Sequence, residues 1–251
     1  MKKYTIFLAI LIALSLFAGC SANSDSIEKT AMVGLCDLDS IAMEDSVFGL
    51  SEKELESVIA AKFSAVDIEI DPANLTDKDA AMLNCDSVSE FKHSIVTEIV
   101  THRLVEEYYN YLLENSTVET NENTDTFVNT VCTKTQEIAA REGYTFDGFV
   151  EEQYQMDKEE FKNHLIDLWV NMQIIFAYCD SHDIICTETD FAEAKDFIKD
   201  SEEFECYTGD ESIESDLIRF FVLDENLQNS IAEMHNEEIT QYSAKIMSTL
   251  S

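Results

Sequence analysis

Apolar positions recur at intervals of three and four residues over most of the chain after Thr76. This spacing places them on one face of an α-helix and predicts a succession of amphipathic helices, whose apolar faces we expect to pack in a core. The first long helix is expected to end at Asn115–Ser116–Thr117. Its stripe comprises Phe91, Ile95, Ile99, His102, Val105, Tyr109 and Leu112.

Five further helices are predicted downstream from cap residues and apolar spacing. One begins at Thr124 or Asp125 and ends at Gly143, and a short one spans 146–154. Asp157 begins a third, with an apolar face of Phe161, Leu165, Leu168, Met172 and Ile175, widened by Trp169 and Phe176. A Thr-x-x-Asp start at Thr187 begins the next. The last runs from about Ser212 to Glu238, with Ile213, Leu217, Phe220, Leu227 and Ile231 on one side.

The segment before Thr76 is more mixed. Ser51 is a predicted N-cap, and Glu54 three residues later is its capping-box partner. The helix that follows would bury Leu55, Val58, Ile59 and Phe63. After it, Val66, Ile68 and Ile70 alternate with acids and predict a short extended stretch.

Turn residues are scarce in this chain, which has one proline, Pro72, and six glycines. Strand-rich proteins need frequent turns, so the long glycine-free stretches favour helices. We therefore predict an all-α fold with a short mixed N-terminal segment. The predicted divisions are a signal peptide at 1–19, a tether at 20–34, a linker-like segment with one helix at 35–75, and a helical domain at 76–251.

The first twenty residues indicate export. Lys2 and Lys3 precede an apolar run from Tyr4 to Phe17, and Ala18-Gly19-Cys20 follows it. A basic start, a short apolar stretch and small residues are typical of a secretory signal, and the run is too short for a stable membrane span. A cysteine directly after the small residues predicts lipidation at Cys20. The expected location is therefore the extracytoplasmic face of a bacterial cell membrane, reached through the lipid.

A formal net charge of −35 narrows the choice of partners. Nucleic acid and anionic lipid headgroups would repel such a chain, so neither nucleic acid nor a charged membrane surface is an expected partner. Basic partners would be attracted without specificity. The hydrophobic fraction of 45% is ordinary for a globular protein, so the acidity does not predict disorder.

Six cysteines remain after Cys20, namely Cys36, Cys85, Cys132, Cys179, Cys186 and Cys206. An even number in an exported protein allows disulfides, and the sequence favours free buried thiols at least as much. Cys179-x2-His182-x3-Cys186 with Cys206 has residue types that bind zinc, but the doubled close pair typical of structural zinc sites is missing. We expect turn and core residues there, and no metal or other cofactor.

Other candidate chemistry is weak. Glu90-x-x-His93 has the spacing of a di-iron ligand pair, but no second such pair is present. A histidine on an apolar stripe, such as His102, is more often a core residue than a ligand. Cys132 has only Lys134 as a nearby base, and the chain has no glycine-rich phosphate loop or nucleophile elbow. Acid doublets are unavoidable in a chain with 51 acids. We expect neither enzyme activity nor nucleotide binding.

HRLVEEYYNYLLENS at 102–116, followed by TVETNENTDTFVN, resembles a long helix ending in LVENSEVEIPE and its following helix in the C-terminal domain of trigger factor. The similarity to that family covers about residues 85 to 238. IAAREGYTFDGFVEEQYQMDKEEFKNHL resembles the short helix before Met-Thr-x-Glu-Glu-Phe, which here is Met156 to Phe161. IICTETDFAE at 184–193 is similar to the Ile-x-Val-Thr-Asp-Glu-Glu step, and 215–235 resembles the closing helix.

The chain departs from that family in three ways. Asn121-Glu122 stands where the family has a proline, and Gln155 replaces a glycine. No segment could hold the isomerase domain, which needs roughly ninety β-rich residues. The resemblance therefore implies a helical cradle that binds unfolded or newly exported polypeptides without prolyl isomerase activity. Two alternatives stay open: a surface scaffold with one specific partner, and an exported foldase with a degenerate isomerase segment within 31–75.

Overall fold

The computed structural model describes residues 32–38, 41, 43, 45–199 and 201–250. Over these residues the chain forms nine α-helices and one two-stranded antiparallel sheet. The predicted all-α fold with a short mixed N-terminal segment is therefore confirmed. The predicted signal peptide at 1–19, most of the tether and the lipidation site Cys20 lie outside the described residues.

The elements are named here in chain order. The strands are β1, Val33–Gly34, and β2, Thr117–Val118, with Val33 opposite Val118. The helices are α1 Glu52–Ser64, α2 Asp77–Met82, α3 Val88–Asn115, α4 Glu122–Glu142, α5 Phe146–Tyr154, α6 Lys158–Ser181, α7 Glu188–Lys199, α8 Glu211–Met234 and α9 Asn236–Thr249. Short 3-10 helices occur at Asp45–Phe48, Pro72–Asn74 and Glu202–Tyr207.

Local capping chemistry explains most helix ends. The Ser51 side chain accepts from the Glu54 amide, and the Glu54 carboxylate accepts from the Ser51 amide at 2.8 Å, which confirms the predicted capping box of α1. Asp157 is confirmed as the N-cap of α6, and Thr187 accepts from the Asp190 amide before α7. Gly143 ends α4 with φ of 85°, a left-handed conformation that glycine adopts without strain.

Two predicted helix boundaries were wrong. Helix α4 begins at Glu122, because the Asn121 side chain accepts from the Asn123 amide while Thr124 serves as the partner in the capping box. The predicted final helix is divided at His235, whose φ and ψ of −103° and 19° interrupt it for one residue. A helix continues to Thr249 because Ile239, Ser243 and Ile246 extend the buried face past Glu238.

The predicted extended stretch at Val66, Ile68 and Ile70 was wrong in its first half. The chain turns after α1, and Asp67 takes a left-handed φ of 58°. The amides of Val66 and Ile68 both donate to the Phe63 carbonyl oxygen, which closes this turn on the end of the helix. Alternation over so few residues therefore does not specify a strand when local hydrogen bonds favour a turn.

The chain divides into two compact units, and we describe each by itself. Unit 1 contains residues up to 39 and 110–229, and unit 2 contains 40–109 and 230–251. In unit 1, helix α4 packs against α6, and α5 packs against both of them. Its core is dominated by α6 and α8, where Leu165, Ile174, Ile175, Ile218 and Leu227 are fully buried.

Unit 2 has its own apolar core. Phe63 of α1 meets Phe91 of α3 edge to face with ring centroids 5.6 Å apart, and Phe48 stacks on Tyr242 of α9 at 4.0 Å. The stripe predicted for α3 is confirmed in this unit at Phe91, Ile95, Val105 and Tyr109, all of them buried, and Leu112, which belongs to unit 1, is buried as well.

The prediction was wrong for the middle of that stripe, at Ile99 and His102. The His102 side chain is 61% exposed and its Nδ1 lies 3.6 Å from the Glu106 carboxylate, while Ile99 is only half-buried. Val96, Val100 and Leu104 are fully buried in their place. The buried face of α3 is therefore turned away from the side that a strict repeat through Ile99 and His102 would select.

Candidate functional site

An open groove lies on the surface of unit 2. Leu50, Val58 and Ile99 form its apolar floor, and each of these side chains is half-buried. The groove has a volume of about 520 Å³, and its rim is formed by Ser51, Lys53, Glu54, Ser57 and Arg103. We refer to these eight residues as the apolar groove.

The start of helix α1 positions one side of the groove. Ser51 Oγ donates to Glu54 Oε2 at 2.6 Å, and the Ser51 amide donates to the same carboxylate oxygen at 2.8 Å. The hydroxyl first and then the amide hold the pKa of Glu54 below its usual value, and Arg103 acts in the same direction. Glu54 is thus an ionised and locally bound carboxylate at neutral pH.

Arg103 of helix α3 fixes the opposite side. Its Nη1 donates to the carbonyl oxygen of Gly49 at 2.7 Å and lies 3.4 Å from that of Val47. Its Nη2 lies 3.7 Å from Glu54 Oε1. One guanidinium therefore links α3 both to the chain segment before α1 and to the first turn of α1.

Lys53 is the one charged residue of the rim whose side chain has no ion-pair or hydrogen-bond partner among the described residues. Of the groove residues, all of which the structure describes, Glu54 and Arg103 are engaged with each other and with local partners. The Lys53 ammonium makes no ion pair or hydrogen bond with any described residue, and its side chain is exposed. The groove therefore combines an aliphatic floor with one ammonium group that has no partner among the described residues.

A second depression in unit 2 is more polar. It has a volume of about 490 Å³ and is formed along α9 by Glu237, Glu238, Gln241, Tyr242 and Lys245. The Lys245 ammonium lies 5.7 Å from the centre of the Tyr242 ring, which itself stacks on Phe48. This lining offers little apolar surface, so we do not consider it the candidate site.

The aromatic residues contribute less exposed surface than their number suggests. No phenylalanine among the described residues is exposed, and the large exposed apolar side chains there are Met32, Val66, Met82, Tyr144, Ile185 and Met234. In unit 1, Tyr144 packs at the edge of Phe149 at 6.1 Å and donates to Glu152 at 3.2 Å. The described phenylalanines are buried or half-buried, and apart from Tyr144 the large exposed apolar side chains are aliphatic or methionine.

The residues considered for zinc are not brought together. Cys179 Sγ is buried 3.8 Å from the Leu223 carbonyl oxygen, and Cys206 Sγ lies 3.7 Å from the Tyr154 hydroxyl. His182 ends α6, stacked on Tyr178 with Nδ1 2.8 Å from its carbonyl oxygen. In the described ranges, no three His, Cys, Asp or Glu side chains form a group that could hold a metal ion.

The six described cysteines are all free thiols. Burial raises the pKa of Cys179 to about 12 and that of Cys206 to about 11. Burial also raises the pKa of Cys132, against a smaller opposing effect of Lys162 and then Lys158. These thiols stay protonated at neutral pH, so none of these three is an activated nucleophile.

Glu90 has a structural role at the start of α3. Its carboxylate accepts from the Asp86 amide at 2.8 Å, and its own amide donates to Ser87 Oγ at 3.1 Å. His93 is exposed on the same helix. Glu90 therefore takes part in the start of α3, and His93 is not among its hydrogen-bond partners.

Sequence reasoning missed the apolar groove, because it placed Val58 and Ile99 in packed stripes. The sequence signal available near the groove was the capping box at Ser51 and Glu54, which located the start of α1. Nothing in the apolar spacing distinguished Val58 from its buried neighbours Leu55 and Ile59.

Comparison of the chain with protein-family models, with curated proteins and with solved structures finds no match. The resemblance to the trigger factor C-terminal domain therefore stays a prediction. Among the helices of the described residues, none has the length and apolar character needed to cross a membrane.

Proposed function

We propose that this chain is a chaperone-like protein that binds unfolded or newly exported polypeptides in the apolar groove. It would be held at the extracytoplasmic face of the cell membrane by lipid on Cys20, and it would act without prolyl isomerase activity, nucleotide or cofactor. The observation that carries this proposal is the open aliphatic floor of Leu50, Val58 and Ile99. The resemblance of about residues 85 to 238 to the trigger factor domain supports the chaperone-like role, although most of the groove residues precede that stretch.

The groove suits weak and unspecific apolar binding. Burying one aliphatic side chain contributes about 1.5–3 kcal/mol. Association costs several kcal/mol in lost motion, so a site with one or two such contacts holds a segment only loosely. Loose binding allows an unfolded client to be released without an energy source, which matches a site without any nucleotide-binding motif.

The charge of the chain supports the same role. At a formal net charge of −35, the protein repels its own copies, and a complex with an apolar client retains most of that charge. Such a complex resists association with further unfolded chains. The acidic surface therefore has a use in this proposal beyond the solubility of the free protein.

Light scattering of a chemically unfolded client diluted into buffer tests the proposal. The purified protein is expected to suppress scattering near an equimolar ratio. Salt distinguishes the cause, because charge interactions are screened beyond about 10 Å at 0.1 M salt and about 3 Å at 1 M. Suppression that persists in high salt supports apolar binding. No suppression for several unrelated clients would contradict the proposal and favour a scaffold with one specific partner.

A further inference from the structure

We propose that the apolar groove prefers a peptide segment in which a large apolar side chain stands beside an aspartate or glutamate, whose carboxylate pairs with Lys53. This preference rests on the proposed function and adds the chemical class of its client segment. The chemistry of the groove selects this segment: the aliphatic floor accommodates the apolar side chain, and Lys53 is the cation of the rim that has no partner among the described residues.

The other charges of the rim are already satisfied. Both carboxylate oxygens of Glu54 have partners, Oε2 at Ser51 and Oε1 at Arg103. The Arg103 guanidinium is bound by the Gly49 carbonyl oxygen as well. Glu54 would repel a client carboxylate, and the charge of Arg103 already faces Glu54 at 3.7 Å, so neither group is expected to select an acidic client.

Lys53 differs from both. It lies in the first turn of α1 between Glu52 and Glu54, the acidic residues of that turn. Its ammonium has no ion-pair or hydrogen-bond partner among the described residues. An incoming carboxylate could therefore pair with this ammonium, while the adjacent apolar side chain contacts Leu50 and Val58 in the floor.

The acidity of the whole chain limits this preference to a single carboxylate. A strongly acidic segment is repelled by the net charge of −35, whereas one carboxylate beside an apolar residue gains the local contact. The preferred segment is therefore apolar, with one acid close to its anchoring side chain.

Fluorescence anisotropy with three labelled peptides tests the preference. The peptides are identical except that glutamate, glutamine or lysine stands beside a central leucine, and both ends are blocked so that the side chain is the only variable charge. An exposed ion pair contributes enough for a preference of about twofold to fivefold. We expect the glutamate peptide to bind best by this factor, and the difference to shrink in high salt.

Lys53→Gln identifies the group responsible, and Lys78→Gln is the matched control. Lys78 is also exposed, in the first turn of α2 in the same unit, and it is not part of the groove. The preference for glutamate is expected to disappear in Lys53→Gln and to persist in Lys78→Gln. A preference that survives Lys53→Gln, or equal binding of the glutamate and glutamine peptides to the unsubstituted protein, overturns the inference.

The outcomes separate this inference from the proposed function. Equal binding of all three peptides that is weakened by Val58→Asn leaves the apolar groove as a client site and removes only the carboxylate preference. If none of the peptides binds, the proposed function fails together with the inference.

Discussion

The Arg103 guanidinium and the Gly49 carbonyl oxygen are joined by a hydrogen bond of 2.7 Å that ties helix α3 to the chain before α1. Residues of α1 and α3 both line the apolar groove. The bond therefore holds the α3 side of the groove to the segment that leads into α1. Because the donor is charged, the bond is stronger than a neutral one.

Arg103→Met is expected to lower the free energy of unfolding by about 1–3 kcal/mol, the contribution of a hydrogen bond to a charged group. Client binding should weaken as well, because the rim would no longer be held. Urea unfolding and anisotropy measure the two effects. Lys92→Met on the same helix is the control, and an equal loss of stability in both variants would count against the role of Arg103.

The second prediction concerns the carboxyl group of Asp216 on α8 and its effect on stability as the pH changes. Burial raises the pKa of its carboxyl, Arg219 opposes this, and Asp210 adds to it. A raised folded pKa favours the protonated form, so the ionised carboxylate destabilises the fold at neutral pH, and this penalty fades as the pH falls through the folded pKa.

Asp216→Asn should therefore raise the melting temperature at pH 7, with a gain that shrinks as the pH approaches the sequence pI of about 4.1. Asp196→Asn removes the same formal charge from an exposed position of α7 and controls for net charge. If both variants gain equally at every pH, reduced repulsion and not burial of Asp216 is the cause.

The buried thiol of Cys179 leads us to predict a loss of folding stability at alkaline pH. Its pKa rises from 9.0 to about 12, chiefly through burial, with Asp224 and Asp180 adding and Arg219 opposing. The unfolded thiol ionises first, so stability is complete below about pH 9 and is lost as the pH rises toward the folded pKa. Each pH unit in this window costs about 1.4 kcal/mol for one thiol.

Chemical unfolding as a function of pH checks this prediction. Cys179→Ala should lower the starting stability and also reduce the alkaline slope. Cys85→Ala, a change of a half-buried thiol in unit 2, is the control. A slope unchanged by Cys179→Ala would show that other groups cause the alkaline loss.

The predicted lipid anchor is tested at Cys20. The unsubstituted protein should sediment with membranes and be released by detergent, and its N-terminal peptide should carry the mass of acyl chains. Cys20→Ser should leave the membrane fraction or keep its leader uncut, while Cys85→Ser should behave as the unsubstituted protein. An N-terminal peptide of the unsubstituted protein without the mass of acyl chains, or Cys20→Ser protein that is cut and still sediments with membranes, would contradict lipidation at this residue.

Particular residues show how far the sequence could predict the fold. Local chemistry located the start of α1 at Ser51 and the end of α4 at Gly143, because capping bonds and a left-handed glycine involve only neighbouring residues. The start of α4 at Asn121 was missed, since Thr124 has an equally suitable side chain and acts as the box partner.

The candidate site was harder to predict than the helices. Periodicity identifies the apolar face of a helix, but the width of the buried arc depends on the elements that pack against it. Val58 and Ile99 lie at the edge of that arc and are half-buried, although their spacing equals that of buried residues. The bond from Arg103 to Gly49 joins positions 54 residues apart and depends on backbone geometry that no local pattern encodes.

The central claim is that the apolar groove binds unfolded chains, and one comparison tests it most directly. Val58→Asn places an amide in the floor, and Val66→Asn makes the same change at an exposed turn outside it. Valine and asparagine have similar helix propensities, so the Val58→Asn substitution should preserve α1. Anisotropy of a labelled, permanently unfolded client should show binding about threefold to tenfold weaker for Val58→Asn and unchanged for Val66→Asn. Equal affinity of both variants and the unsubstituted protein would contradict the claim.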